Sequence, residues 1–458
     1  MSAPVIAQPL VPRTPLRALP RRNHSDLAQA IDLFAFLALC GFVFAIPLEE
    51  IFPTVGGRTV SQWLGLLAAA AAFLRTLSLG RARRPLALHY LMFLLIAWSS
   101  LTSLWSLSPV DTLTMVGTYL QLLVLTWLVW ELAPTSQRIA ALLQAYVLGS
   151  LYSSADIAYN AAIGRDSSVL YAQIYGMQGS AGDRFTAGGF NLNDLGLLLA
   201  LSIPMSVYLL CRRQSPLLQA LYWFHLGLCS IAILLTASRG STIALAIALY
   251  SIPLALPFLS AAKRILCAAI AVIGVLCAAY TVPAGVWSRL LETTDQVERW
   301  DLSERTTIWS AGMGLFRLHP LAGVGAGSFP EVVNPALGTN QVAHNTFVSV
   351  LVELGVVGLI LFCLILLFWA YGALRLPPLE KRLWLTILLA WLVGVCSLTW
   401  EYRKTTWLIL ALVAAQVGDR AVGGTLRRQT PPSASPSLYP HFASRLRLRA
   451  PYQPEVRQ

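Results

Sequence analysis

One histidine in this chain stands at the mouth of a long apolar run. The segment "AHNTFVSVLVELGVVG", residues 343–358, begins with His344 and Asn345 and then turns hydrophobic. A neutral imidazole in such a place can take a proton from a hydroxyl, because its charge changes near neutral pH. It can equally be a structural ring. Two arginines bear on the choice. Arg239 lies in "TASRGS", 236–241, a turn so tight that the flanking apolar runs must be neighbours, with Gly240 supplying backbone freedom. It is either a fixed interfacial cation or a snorkelling side chain that stabilises the hairpin. Arg305 lies in "WDLSERTTIWSAGMGLFRLHP", 300–320, which reads as a helix capped by Asp301, with Glu304 three residues on and Pro320 as its stop. At helical spacing Arg305 shares a stripe with Ile308, Trp309, Gly312, Leu315 and Phe316, the face that lies against membrane or protein. A cation there is costly without an anion. Either a ligand supplies that anion, or an acid such as Glu331 or Glu401 does. Cations close to His344 would keep its ring neutral and basic.

Three more features belong to this constellation. "GVGAGSF", 323–329, has the look of a glycine-rich phosphate cradle, but no strand precedes it, so it reads first as a flexible turn whose N–H groups could assist an anion. Val348, Leu351, Gly355 and Gly358 fall on roughly the face of His344, and the two glycines predict close helix packing there. Glu353 is nine residues beyond His344, ~13 Å deeper along a helix and about on the opposite face. It is either a buried acid with a polar partner or part of a cavity.

The elements that must position these residues are membrane helices. The chain is 56% hydrophobic and only 12% charged, whereas a soluble domain would be roughly a quarter charged. Apolar runs at 30–48, 60–79, 87–107, 112–132, 138–158, 190–210, 217–236, 241–259, 264–282, 345–371, 382–399 and 405–418 predict an all-α polytopic membrane protein of about twelve spans. Residues 1–26 form a Pro- and Arg-rich tail without the apolar core of a cleavable signal, 27–418 the membrane domain, and 419–458 a disordered basic tail. Arg13, Arg17, Arg21 and Arg22 hold the N-terminus in the cytoplasm by the positive-inside rule. Alternation from there puts Arg75, Arg81, Arg83, Arg84, Arg138, Arg212, Arg213, Lys263, Arg264, Arg375, Lys381, Arg382 and the C-terminal arginines on the same side. Both termini are then cytoplasmic, and the net charge of +12 is explained by topology without nucleic acid. The loop 159–189, the turn 236–241 and the long segment 283–341 face outward. The seven cysteines lie in or at the ends of apolar runs with no CxxC, so they read as small hydrophobes, and no cluster of outer Asp, Glu and His has metal spacing.

Four segments together resemble the O-antigen ligase family, which includes related polysaccharide polymerases: "GGFNLNDLG" at 188–196, "LLTASRGS" at 234–241, "ERTTIWSAGMGLFRLHPLAGVGAGSF" at 304–329, and the opening stretch. The chain departs from the family in "NLND", where Asn-Pro-Asn is common. The resemblance implies a GT-C-like, inverting, metal-independent glycosyltransferase of the bacterial inner membrane, with short helices in its long periplasmic loop and its active site on that side. Its donor would be a glycan on undecaprenyl pyrophosphate and its acceptor lipid A–core, or another glycan if the protein is a polymerase. Arg239, Arg305 and His344 match the family's functional arginines and histidine. Arg184, Asn193 and Asn345 are the candidates for substrate binding, although Asn345 can also orient the ring or merely cap the helix. Chemically this is coherent, since guanidinium groups can take up the charge of a leaving pyrophosphate while His344 takes the acceptor proton. A transporter of the same lipid-linked glycans would instead show inverted repeats or helices broken near mid-membrane. The sequence shows neither.

Overall fold

The computed structural model describes residues 22–52, 54–80, 82–170, 184–212, 215–291 and 305–429. Most of both expected tails, and the helix cap expected at Asp301 and Glu304, lie outside the described residues. Among them the chain is helical, with one isolated bridge pair, Val55 and Arg58. In order it forms α1 (Arg22–Ala45), α2 (Val60–Leu79), α3 (Ala87–Leu101), α4 (Pro109–Leu132), α5 (Ser136–Ala162), α6 (Leu192–Cys211) and α7 (Pro216–Leu235). Then come α8 (Arg239–Leu249), the short α9 (Ser251–Ala255), α10 (Ala261–Thr281), α11 (Ala284–Leu291), α12 (Arg305–Leu318) and α13 (Phe329–Leu337). The chain closes with α14 (Thr346–Leu374), α15 (Pro378–Val395) and α16 (Lys404–Gln429). Local chemistry sets many starts: Thr59, Ser215, Ser238 and Ser260 accept a hydrogen bond from the N–H three residues on, and Pro109, Pro216 and Pro378 occupy first turns, where no N–H is needed.

Nine helical spans among the described residues are long and apolar enough to cross a membrane. Helices α5, α15 and α16, of 27, 18 and 26 residues, occupy the remaining expected spans but are less apolar. The last runs well past the expected 418. Helix α6 is the axis of the bundle: nearly all its side chains are buried, and α5, α7, α8 and α15 pack around it. Trp407 to Ala415 of α16 are also sealed inside. Helix α10 is the opposite case, packing chiefly on α7 with most of its residues exposed.

At one end of the bundle charges are paired. Asp32 of α1 is bridged by Arg75 of α2 and Arg138 of α5, and Arg75 also holds Glu131 of α4 at 2.7 Å. Arg83 donates to the Trp130 carbonyl and lies 3.6 Å over that indole ring. These contacts fasten four helices together at their cationic ends.

At the other end α14 is broken, contrary to the expectation of unbroken helices. Gly355 has φ 68° and ψ −170°, and an added Cβ there would run into the Leu321 carbonyl. The expected glycine stripe for helix packing is therefore, at Gly355, a gap into which another segment fits. Residues 320–325 lie along 352–357 and repair the broken ladder: Val324 N–H donates to Val352 O (3.0 Å), Gly325 N–H to Glu353 O (2.9 Å) and Val356 N–H to Pro320 O (2.9 Å). Trp98 Nε1 takes the Leu354 carbonyl at 2.9 Å. Irregular backbone at such a depth is tolerated because protein groups satisfy it. A small second core of Ile308, Val324, Phe329, Val333, Ala343 and Val352 binds α12 and α13 to this break.

Candidate functional site

The turn carrying Arg239 is built from close approaches. Its left-handed residue is Ala237, at φ 48°, and not Gly240 as expected. Gly240 serves a different need, since a Cβ there would come within 2.7 Å of Ser397 Oγ at the end of α15. Gly196 of α6 leaves room for Ser241, whose hydroxyl donates to Asn193 O at 3.2 Å. The starts of α6 and α8 are thereby locked together. Arg184 docks on the same turn, donating from Nε to Thr236 O at 3.1 Å, while Phe185 N–H bonds Leu235 O at 3.0 Å. Three of the expected residues, Arg184, Asn193 and Arg239, thus meet at one turn. Asn193 does so through its backbone, as its own N–H donates to Asn191 Oδ1, the cap of α6.

His344 is the second non-glycine residue with positive φ, also 48°. An L-residue held there costs about 1–3 kcal/mol, which surrounding structure must offset. The offsets are visible on both sides. Trp309 Nε1 of α12 donates to Ala343 O at 2.8 Å. Asn345 caps α14, its Oδ1 accepting from Phe347 and Val348 N–H and its Nδ2 donating to Cys396 O at 3.2 Å. Thr346 Oγ1 donates to Leu398 O and accepts from Trp400 N–H. Both ends of the Asn345 amide are engaged by the protein, so the side chain caps the helix as one of the alternatives expected.

Helix α12 turns its expected stripe inward: Ile308 and Gly312 are buried, with Gly312 lying against Phe329 and Val352. Arg305, at its first turn, is half-buried and close to both other candidates. Burial, and then the Arg239 cation, hold its pKa below the usual arginine value. Among the described residues, neither acid considered as its partner forms an ion pair with it. Glu331 accepts from Asn340 Nδ2, and Glu401 from Ser349 Oγ at 2.9 Å. His344 is in turn held below an imidazole's ordinary 6.5 by burial first and Arg305 second, with Asp194 pulling the other way. Asp194 was inside the quoted "NLND", but its role was not legible there. It accepts from Trp400 Nε1 at 2.8 Å and pairs with Arg403, about two hundred residues distant.

The glycine-rich segment departs most from expectation. It is neither an open cradle nor a loose turn, because an internal carboxyl group takes up its N–H groups. Glu353 Oε2 accepts from Gly327 N–H at 2.7 Å, and Oε1 from Phe329 N–H at 3.3 Å. Positive φ at Gly323, Gly325 and Gly327 shapes the loop around that carboxylate.

Fold and site together define a polytopic helical membrane protein with two arginines and a histidine gathered at one end. The family model described as O-antigen ligase matches residues 224–363, which include Arg239, Arg305, His344, Glu353 and the glycine-rich loop. Over these residues the chain is similar to the O-antigen ligase family. No curated protein matches the chain.

Proposed function

We propose that the protein is a glycosyltransferase that moves a glycan from undecaprenyl pyrophosphate to a lipid A–core acceptor at the periplasmic face of the bacterial inner membrane, through about twelve spans in a GT-C-like arrangement. The observation that carries this reading is the convergence of Arg239, Arg305 and His344. Burial and the neighbouring Arg239 disfavour the charge on Arg305, and the half-buried imidazole of His344 is biased to the neutral form by burial and by Arg305. A pyrophosphate is the ligand such an arrangement fits, and a neutral ring is what an acceptor hydroxyl needs. In the reaction the hydroxyl gives its proton to His344 and its oxygen bonds to the anomeric carbon from the face opposite the pyrophosphate. The carbon–oxygen bond to phosphate breaks, and its electron pair leaves with undecaprenyl pyrophosphate, whose growing charge the guanidinium groups take up. The anomeric configuration inverts. The broken helix α14 does not favour transport, because the gap at Gly355 is filled by residues 320–325.

Purified protein given lipid-linked glycan and lipid A–core should yield glycosylated core lipid and free undecaprenyl pyrophosphate. Transfer to a second lipid-linked repeat instead would make it a polymerase. Movement of donor across a vesicle without any new glycosidic bond would overturn the reading in favour of a transporter. For the orientation, Arg165→Cys and Glu331→Cys should be labelled from outside intact cells, and Thr430→Cys only after permeabilisation.

A further inference from the structure

The residues between Arg305 and His344 form a closed excursion from α14. The chain runs from α12 down beside the break at Gly355, through the glycine-rich loop, along α13, and back to His344. It is fastened at three places: the backbone bonds of 320–325 with 352–357, the Glu353 carboxylate under Gly327 and Phe329, and the Trp309 indole on Ala343 O. Only the second fastening is an ionisable side chain, and it is deep. Glu353 is 3% exposed, a poor place for a carboxyl group unless its bonds are needed. Its surroundings make the placement still more demanding, for Glu401, Tyr119 and Tyr402 all bear on it, and Ser349 stands between the two acids, donating to Glu401. A purely apolar packing of loop on helix would have avoided these costs.

We propose that Glu353 is a positioning residue for the transfer reaction: by holding the glycine-rich loop on the broken helix, it sets the place of Arg305 on α12 relative to His344 at the head of α14. This rests on the transferase reading of the site. Glu353 touches no substrate and acts through the loop. Backbone bonds of 320–325 hold the segment after α12, and Trp309 holds the helix near its start. The Glu353 carboxyl group adds support along the inner face, because it keeps Phe329 where its ring lies against Gly312. When it is absent, 327–329 can lift, Phe329 leaves Gly312, and the start of α12 with Arg305 loses its seat.

The test is Glu353→Gln in the full-length protein, purified to a monodisperse state and compared with the parent for kcat, KM and pH dependence. The amide keeps the size of the side chain but cannot accept at both of its ends. A displacement near 1 Å at reacting groups costs ~10²-fold, so kcat should fall ~10- to 10²-fold, with a smaller change in KM for donor. The sign of the pH shift separates positioning from simple loss of charge. His344 is lowered partly by Arg305. Loosening Arg305 therefore moves the acid limb of the rate profile upward, towards the ordinary imidazole value. Removing a negative charge while the arginine stays put would move the limb down. A folded variant with parental kcat and an unmoved or lowered limb overturns the proposal, while the parent's own activity leaves the transferase reading standing. If the parent itself transfers nothing, it is that reading which fails. Should Glu353→Gln not fold, Trp309→Phe decides, since it removes the other side-chain fastening. It should raise the acid limb in the same direction, and an unmoved limb overturns the proposal equally.

Discussion

The ion-paired arginines of the bundle and the Arg239–Arg305 neighbourhood are held in opposite ways. At the tail-bearing end Arg75 and Arg138 share Asp32, and Arg75 also reaches Glu131. At the other end Arg403 and Lys404 are likewise neutralised, by Asp194 and Glu49. Arg305 lies at this same end and differs from them. Its strongest charged neighbour is another cation, Arg239, and burial adds to the penalty. A buried pair is part of how a fold is held, because removing either partner strands the other. Neighbouring like charges are something the fold must hold against, and an arriving anion relieves their repulsion. The two non-glycine residues with left-handed backbone, Ala237 and His344, sit beside these cations and nowhere else among the described residues. Backbone strain and neighbouring cations coincide, as they do where a site is organised before its ligand binds.

That contrast can be broken by substitution. Arg305→Lys and Arg239→Lys keep the charge but lose the planar fork, and each should lower transfer ~10²- to 10³-fold with the protein still folded. Parental turnover in both would move these arginines into the structural class. Arg75→Ala should do the reverse. It strands Glu131, which is 2% exposed and keeps the Arg83 N–H at 2.8 Å as a partner, so stability should drop by about 3–5 kcal/mol. Thermal unfolding in detergent would show this, while activity per folded molecule stays close to normal. The smallest effect expected is that of EDTA. If guanidinium groups take up the leaving charge, chelation should leave the rate of purified enzyme unchanged, and a loss restored by Mg²⁺ would contradict that assignment.

How much of this was legible in the sequence follows the range of each interaction. Spans are local, so length and hydropathy located a helix at each expected run, and the stripe on 305–318 pointed Ile308 and Gly312 inward. Helices α1 and α16 nonetheless extend well beyond their expected bounds, and the run at 241–259 is divided between α8 and α9. Caps are local as well, and Asn345 as a cap was among the open alternatives. Gly240 was misread because its importance is tertiary: Ser397, far along the chain, needs the space. The break at Gly355 was invisible for the same reason. A glycine in an apolar run looks like a packing position until a second segment is known to enter the helix there. The loop 323–329 read first as a flexible turn that could assist an external anion, yet its partner Glu353 stood only nine residues past His344. Spacing alone could not show that the loop folds back across α14. The Asp194–Arg403 pair carries no sequence signal at all.

The central claim is that His344 accepts the acceptor's proton. His344→Ala should insert and fold, bind donor through the arginines, and transfer glycan at least ~10²-fold more slowly, a typical contribution of general base catalysis. In the parent enzyme the rate needs the neutral ring, so it should fall with pH as the imidazole protonates. Because burial and Arg305 depress that pKa, the acid limb should lie below the ordinary 6.5. The deciding measurement is specific activity of the Ala variant on detergent-purified, monodisperse protein, alongside the parent's pH profile. The account predicts a folded, donor-binding variant with a rate at most a hundredth of the parent's. A folded variant at the parental rate would contradict it.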